Sequence, residues 1–181
     1  MKSFIKILAF ALLFSSLFIF NGCKKEDDDV APPANLITSS TLDVSLTWLT
    51  GSTAAQAPID ADLDLRLYSK NDITVDDLPI GWSENPDAFE TFNISESTGP
   101  TINLTDGDYY LKVLMYENFA GKAITFTLIV SGGGKEIKAT GNFADTKMAS
   151  NGNYAGPDTS LTVRTVIKVT KSGNNYTITN L

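Results

Sequence analysis

"TLDVSLTWL" (residues 41–49) and "ADLDLRLYS" (residues 61–69) decide the fold. In the first, Leu42, Val44, Leu46 and Trp48 fall on one side; Asp43, Ser45, Thr47 and Leu49 take the other. In the second, Leu63, Leu65 and Leu67 oppose Asp62, Asp64, Arg66 and Tyr68. Side chains alternate across a strand, so a period of two with one apolar side marks a half-buried β-strand. The period in both stretches is two rather than the 3.6 of an amphipathic helix.

The same period recurs along the chain. "AFETFNIS" (88–95) alternates loosely. "DYYLKVLMYE" (108–117) sets Tyr109, Leu111, Val113 and Met115 against Tyr110, Lys112, Leu114 and Tyr116. "KAITFTLIVS" (122–131) sets Ile124, Phe126, Leu128 and Val130 against Thr125, Thr127 and Ile129. "KEIKATGNF" (135–143) is weaker. "SLTVRTVIKVTK" (160–171) puts Leu161, Val163, Thr165 and Ile167 opposite Thr162, Arg164, Val166 and Lys168, and "NYTITNL" (175–181) follows. Turn residues separate these runs: Thr105-Asp106-Gly107, Asn118 to Gly121, Gly132 to Gly134, and "SGNN" at 172–175, which reads as a hairpin loop. No stretch after residue 22 keeps a sustained helical period. About eight strands with polar turns predict an all-β, antiparallel β-sandwich over residues 41–181. Residues 144–159 carry no pattern and are long for a hairpin loop.

Residues 1–22 read as an address. Lys2 and Lys6 form a positive start, and Ile7 to Phe20 is apolar apart from Ser15 and Ser16. That run is shorter than the ~20 residues a spanning helix needs and fits a signal peptide. Asn21, Gly22 and Cys23 follow. The stretch Phe20 to Cys23 resembles a bacterial lipobox, with Phe20 and Asn21 in place of the commonest residues. The resemblance implies cleavage before Cys23 and acylation of its thiol, which makes Cys23 the lipidation site. Acyl chains add roughly 0.8 kcal/mol per buried methylene, so several on one residue give a stable membrane anchor. "KKEDDD" (24–29) is a solvated tether. Glu26 to Asp29 also resemble the acidic signal of Bacteroidetes-type lipoproteins, which implies an outer-membrane protein facing the cell exterior. Pro32 and Pro33 stiffen the linker, which is expected to run over residues 23–40.

Composition removes several kinds of function. The chain has 14 basic and 21 acidic residues, a net charge of −7. Loss of residues 1–22 takes two lysines and no acid, leaving −9. Nucleic acid is therefore not an expected partner, because binding it requires positive charge to displace counterions. There is no histidine, which excludes Ser-His-Asp machinery and histidine-held zinc. The single cysteine cannot form an internal disulfide.

"LDVSLTWLTGS" followed by "DADLDLRLYS" resembles the start of bacterial pre-peptidase C-terminal domains and the related YfaP-like domains. "NPDAFETFNIS", "DGDYYLKVLMYEN" and "AITFTLIVSG" follow in the order of that family, so the resemblance spans roughly residues 41–132. The gap between the first two motifs is longer here than in those families. The resemblance implies a jelly-roll-like sandwich that is accessory and non-catalytic. Some such domains bind calcium and some contact polymers.

Candidate sites follow from these patterns. Asp60, Asp62 and Asp64 stand at alternate positions, so in one strand they would share a face. With Asp87 and Glu90 they are candidate calcium ligands, since calcium takes six to eight oxygens. The more common meaning of such spacing is plain alternation on a solvated face. Trp48 continues an apolar side and is expected in the core. Trp82, in a turn-rich stretch, is a candidate sugar-stacking residue, although tryptophan more often packs inside. Tyr110 and Tyr116, with Leu114, offer apolar bulk on the second face of their strand, for docking or for cover by the long loop. Asp76, Asp77, Glu84, Asp87, Glu90 and Glu96 include enough acids for a glycosidase pair, which would need two of them about 5–10 Å apart across a cleft. The expected function is a surface-anchored, non-catalytic binding module for calcium, a polysaccharide or an envelope protein. A structural or adhesive envelope subunit is the alternative, and a small carboxylate hydrolase a distant one.

Overall fold

The structure is a computed structural model that describes residues 34–51, 53–74, 77–85, 87–94, 102, 104–145 and 162–181. The signal peptide, Cys23, the acidic tether, Asp76, Glu96 and most of the 144–159 segment lie outside the described residues.

Among the described residues, ten strands form two antiparallel sheets. In chain order they are β1 (Leu36–Thr38), β2 (Leu42–Leu49), β3 (Ala61–Tyr68), β4 (Gly81–Ser83), β5 (Phe89–Ile94), β6 (Gly107–Asn118), β7 (Ile124–Gly132), β8 (Lys135–Phe143), β9 (Val163–Ser172) and β10 (Asn175–Asn180). One sheet runs β1-β10-β9-β6-β3-β4 and the other β5-β2-β7-β8. The protein is thus the expected all-β sandwich, with the chain passing repeatedly from one sheet to the other. All eight expected strands form. Two more do not alternate long enough to be read, β1 and β4. β1 lies within the expected linker and pairs with β10, so the folded domain starts before residue 41.

The alternation sets the core. Leu42, Val44, Leu46 and Trp48 of β2 are buried against Leu63, Leu65 and Leu67 of β3, Leu111 and Val113 of β6, and Leu128 and Val130 of β7. Trp48 Nε1 donates to the Ala61 carbonyl at 3.2 Å, a bond that ties β2 of one sheet to β3 of the other. Phe126 and Phe143 pack with ring centroids 5.6 Å apart. Gly141 lies opposite Phe126, and a Cβ at Gly141 would intrude on the Phe126 ring. Gly141→Ala is therefore expected to destabilise the fold by roughly 1–3 kcal/mol, the usual range for overpacking, readable as a lower urea midpoint.

Two hairpins turn on glycines. Gly133 and Gly134 both have positive φ, as a type I′ loop requires. "SGNN" is the expected hairpin; of its two loop residues, only Gly173 has positive φ, the pattern of a type II′ turn.

Strand β9 departs from its expected alternation. Leu111 pairs with Ile167, but Lys112 pairs with Thr165, so Val166 is an extra residue. A one-residue bulge reverses the faces on either side of it. Ile167 and Val169 enter the core, while Thr165 turns outward to Lys112 and Arg164 turns inward. The Arg164 guanidinium sits over the Phe143 ring at 5.1 Å. A second bulge in β6 skips Tyr116, because Leu63 pairs with Met115 and Asp62 with Glu117.

Candidate functional site

The five candidate calcium ligands do not converge. Asp60 does not continue β3. Residues Ala57–Asp60 form a single helical turn with Pro58 in its first positions, so Asp60 leaves the face that Asp62 and Asp64 share. Its Oδ2 accepts from Lys122 Nζ at 2.7 Å and from Thr50 Oγ1 at 2.6 Å, and its Oδ1 from Gln56 Nε2 at 3.2 Å. Its backbone carbonyl also accepts from Ala120 N. Asp60 thus joins the helical turn to the β6–β7 loop. The Lys122 and Thr50 bonds hold its pKa down at about 2, against the desolvation that opposes them.

A depressed carboxylate stabilises the fold above its unfolded pKa of 3.8 and loses that contribution as pH falls toward 2. Asp60→Asn should lower the melting temperature at pH 5 and flatten the fall in melting temperature between pH 4 and pH 2. An unchanged acid slope would show that Asp60 does not join these elements.

Asp62 and Asp64 lie on the outer face of the six-stranded sheet. Asp64 is ion-paired with Arg66 at 3.3 Å, and Arg66 also binds Glu84. The Asp62 carboxyl is pushed up by burial first, then by the nearby charges of Glu117 and Glu84. Asp87 is exposed in the loop before β5. Glu90 belongs to the other sheet and points inward, opposite Leu46. Among the described residues, no group of three or more acids is arranged to hold a metal ion.

Trp82, Tyr110 and Tyr116 also map to the six-stranded sheet. Trp82, on edge strand β4, is half exposed rather than packed inside, and Leu78 and Ile80 beside it in sequence are exposed too. It lies in line with Arg66 and Lys112. Tyr110 is two strands inward, opposite Tyr68, and Tyr116 is the bulge residue of β6. Between them the face is closed, because Lys112 and Leu114 are almost completely buried. Lys112 Nζ donates to the Asn71 carbonyl at 2.6 Å and to Thr165 Oγ1, which fastens the loop after β3 over this sheet. Burial pushes the Lys112 amine down to about 8, against the pull of Asp72.

The open surface is on the other sheet. A groove of about 550 Å3 is lined by Thr47, Trp48, Leu49, Thr125, Thr127 and Thr140, with alanine, glycine, phenylalanine and asparagine residues completing it. Every residue that lines it is uncharged. Its threonines are the outward half of the alternation that buries Leu46, Trp48, Phe126 and Leu128. Threonine suits an exposed strand position because its branched side chain fits the pleat while its hydroxyl meets water. The sequence carries the signal as alternate hydroxyl residues, Ser45 and Thr47 in "SLTW" and Thr125 and Thr127 in "ITFT". Their neighbourhood depends on the strand order, so sequence reasoning missed it. No protein-family model, no curated protein and no solved structure matches this chain, so its functional reading rests on this groove and these contacts.

Proposed function

We propose that this chain is a lipid-anchored, non-catalytic binding module on the outer membrane, facing the cell exterior, and that its ligand is a polysaccharide. The groove on the four-stranded sheet carries the reading. Its lining combines threonine hydroxyls with apolar residues such as Leu49, Ala54 and Ala88, the combination that suits a sugar's hydroxyls and C–H faces. Binding without catalysis fits a lining with no titratable group, because general acid–base chemistry needs one. The signal-like segment before Cys23 and the acids after it support the anchor and the address. The likeness to pre-peptidase C-terminal domains supports an accessory role.

Two measurements test this. Mass spectrometry of the protein from membranes should find an acylated Cys23 as the first residue. Affinity electrophoresis of the protein through gels containing soluble polysaccharides should find at least one that retards it. An intact Met1 would remove the anchor, and no retardation by any polysaccharide would remove the ligand class.

A second reading is docking to an envelope protein. Leu78, Ile80 and Trp82, exposed along one sheet edge, favour it.

A further inference from the structure

The pairing register aligns the outward residues of the four-stranded sheet into rows. Thr47 lies opposite Phe89 on one side and Thr127 on the other, and Thr127 lies opposite Thr140. One row therefore crosses all four strands as Phe89, Thr47, Thr127 and Thr140. The next row, toward the end of β2, holds Leu49, Thr125 and Asn142. Except for Phe89, these residues line the groove.

We infer that the groove takes a neutral, unbranched glycan, lying across the strands along the Phe89–Thr47–Thr127–Thr140 row and gripped in mid-chain. The inference rests on the binding-module reading above and specifies its ligand. Four features carry it. Neighbouring strands are about 4.8 Å apart, so the row offers one hydroxyl on each of β2, β7 and β8 at a pitch close to the length of one pyranose in an extended glycan. Each hydroxyl both donates and accepts, as sugar hydroxyls do. Phe89, about half exposed at 48%, ends the row with an aromatic face for a sugar's C–H side. The row runs from β5 to β8, the two edge strands of the sheet, so no further strand of that sheet caps either end.

Charge selects against other glycans. The lining is uncharged, while the chain as a whole carries −7. An anionic polysaccharide would be repelled by the protein and would find no cation in the groove. A cationic one would be drawn to the acids elsewhere on the surface.

The test is titration calorimetry of the acylated full-length mature chain in detergent. Probes are neutral glucans and mannans, a polyuronate and a sulfated galactan, with oligosaccharides of increasing length. Thr47→Val and Thr127→Val keep the branched shape and remove one hydroxyl each, and Thr179→Val makes the same change on the other sheet. Circular dichroism confirms that each variant is folded.

The expected result is binding to a neutral glycan, with affinity rising with length. Each groove variant should weaken it roughly five- to tenfold, the value of one hydrogen bond, and Thr179→Val should leave it unchanged. Tightest binding to the polyuronate or sulfated galactan would overturn the inference while leaving a polysaccharide module in place. So would full affinity in both groove variants, or affinity independent of length. Failure of every glycan to bind would remove the module reading as well.

Discussion

Replacing Trp48 with alanine is expected to destabilise the sandwich by about 3–5 kcal/mol, the range for removing a buried large aromatic. Whole domains are stable by only about 5–15 kcal/mol, so much of the fold's margin would go. Trp48 is buried in the core and is also among the residues that line the groove. Its indole N–H also supplies the bond to Ala61 that links the sheets. The two roles can be separated. Trp48→Phe keeps a large ring and leaves the Ala61 carbonyl without that donor, which should lose only about 1–2 kcal/mol. Chemical denaturation of both variants reads the difference. A Trp48→Ala protein that melts within a degree or two of the parent would show that the inter-sheet contact is not central.

Glu90→Gln should do the reverse at neutral pH and stabilise the protein by on the order of 2 kcal/mol. The Glu90 side chain has no exposure and sits on the inner side of β5. Burial pushes its carboxyl up to about 7; bonds from Ser83 and Asn85 oppose this, and the charges of Asp64 and Asp62 add to it. The backbone N–H of Asn85 donates to Oε1 at 2.7 Å, a bond a glutamine oxygen can keep.

The sign follows from proton binding. Between the unfolded pKa of 4.5 and the folded value of about 7, the fold holds the proton and the open chain does not. Stability is therefore full below 4.5 and falls as pH rises through that window. The glutamine protein lacks this fall. Asp60 acts on the other side, since its contribution disappears below 3.8. Together the two acids predict a parent protein most stable near pH 4 to 5. Thermal melts from pH 2 to 8 on the parent and Glu90→Gln would decide it. Parallel curves above pH 5 would contradict the assignment.

Much of the sandwich was legible because its longer strands bury one face and wet the other. β2, β3, β6 and β7 each show four or more alternations, enough to fix both element and face. β1 and β4 have three residues each, too few for a period, and β1 exists only because β10 lies beside it. The β9 bulge was hidden for a different reason. Val166 and Ile167 are both apolar, so the extra residue looks like an imperfect alternation until β6 sets the register.

The candidate sites divide in the same way. Which residues of β3 point together could be read, but which charges meet them could not. Asp64 is met by Arg66 two positions on, whereas Asp60 is met by Lys122, 62 residues away. Pro58 was the local sign that the chain turns helical before β3. The groove was least legible. Thr47 and Thr127 become neighbours only when β2 and β7 pair.

Strand β1 is clasped from two sides. Its Thr38 hydroxyl donates to Asn175 at 2.8 Å, the amide of Ser39 donates to the Asn174 carbonyl, and Lys135 Nζ reaches the Leu36 carbonyl. Gly133 lies so close to the Thr38 carbonyl that it has no room for a Cβ. These partners belong to the tips of both hairpins, one from each sheet. A pull on the chain ahead of residue 34 therefore loads three residues gripped by two loops before it reaches any buried leucine. If the chain is anchored at its N-terminus and binds in the groove as proposed, drag on that ligand would enter through the four-stranded sheet and leave through this clasp. The pairing of β1 with β10, the burial of Ile37 and these clasping contacts thus set how much tension the domain bears before its first strand peels away.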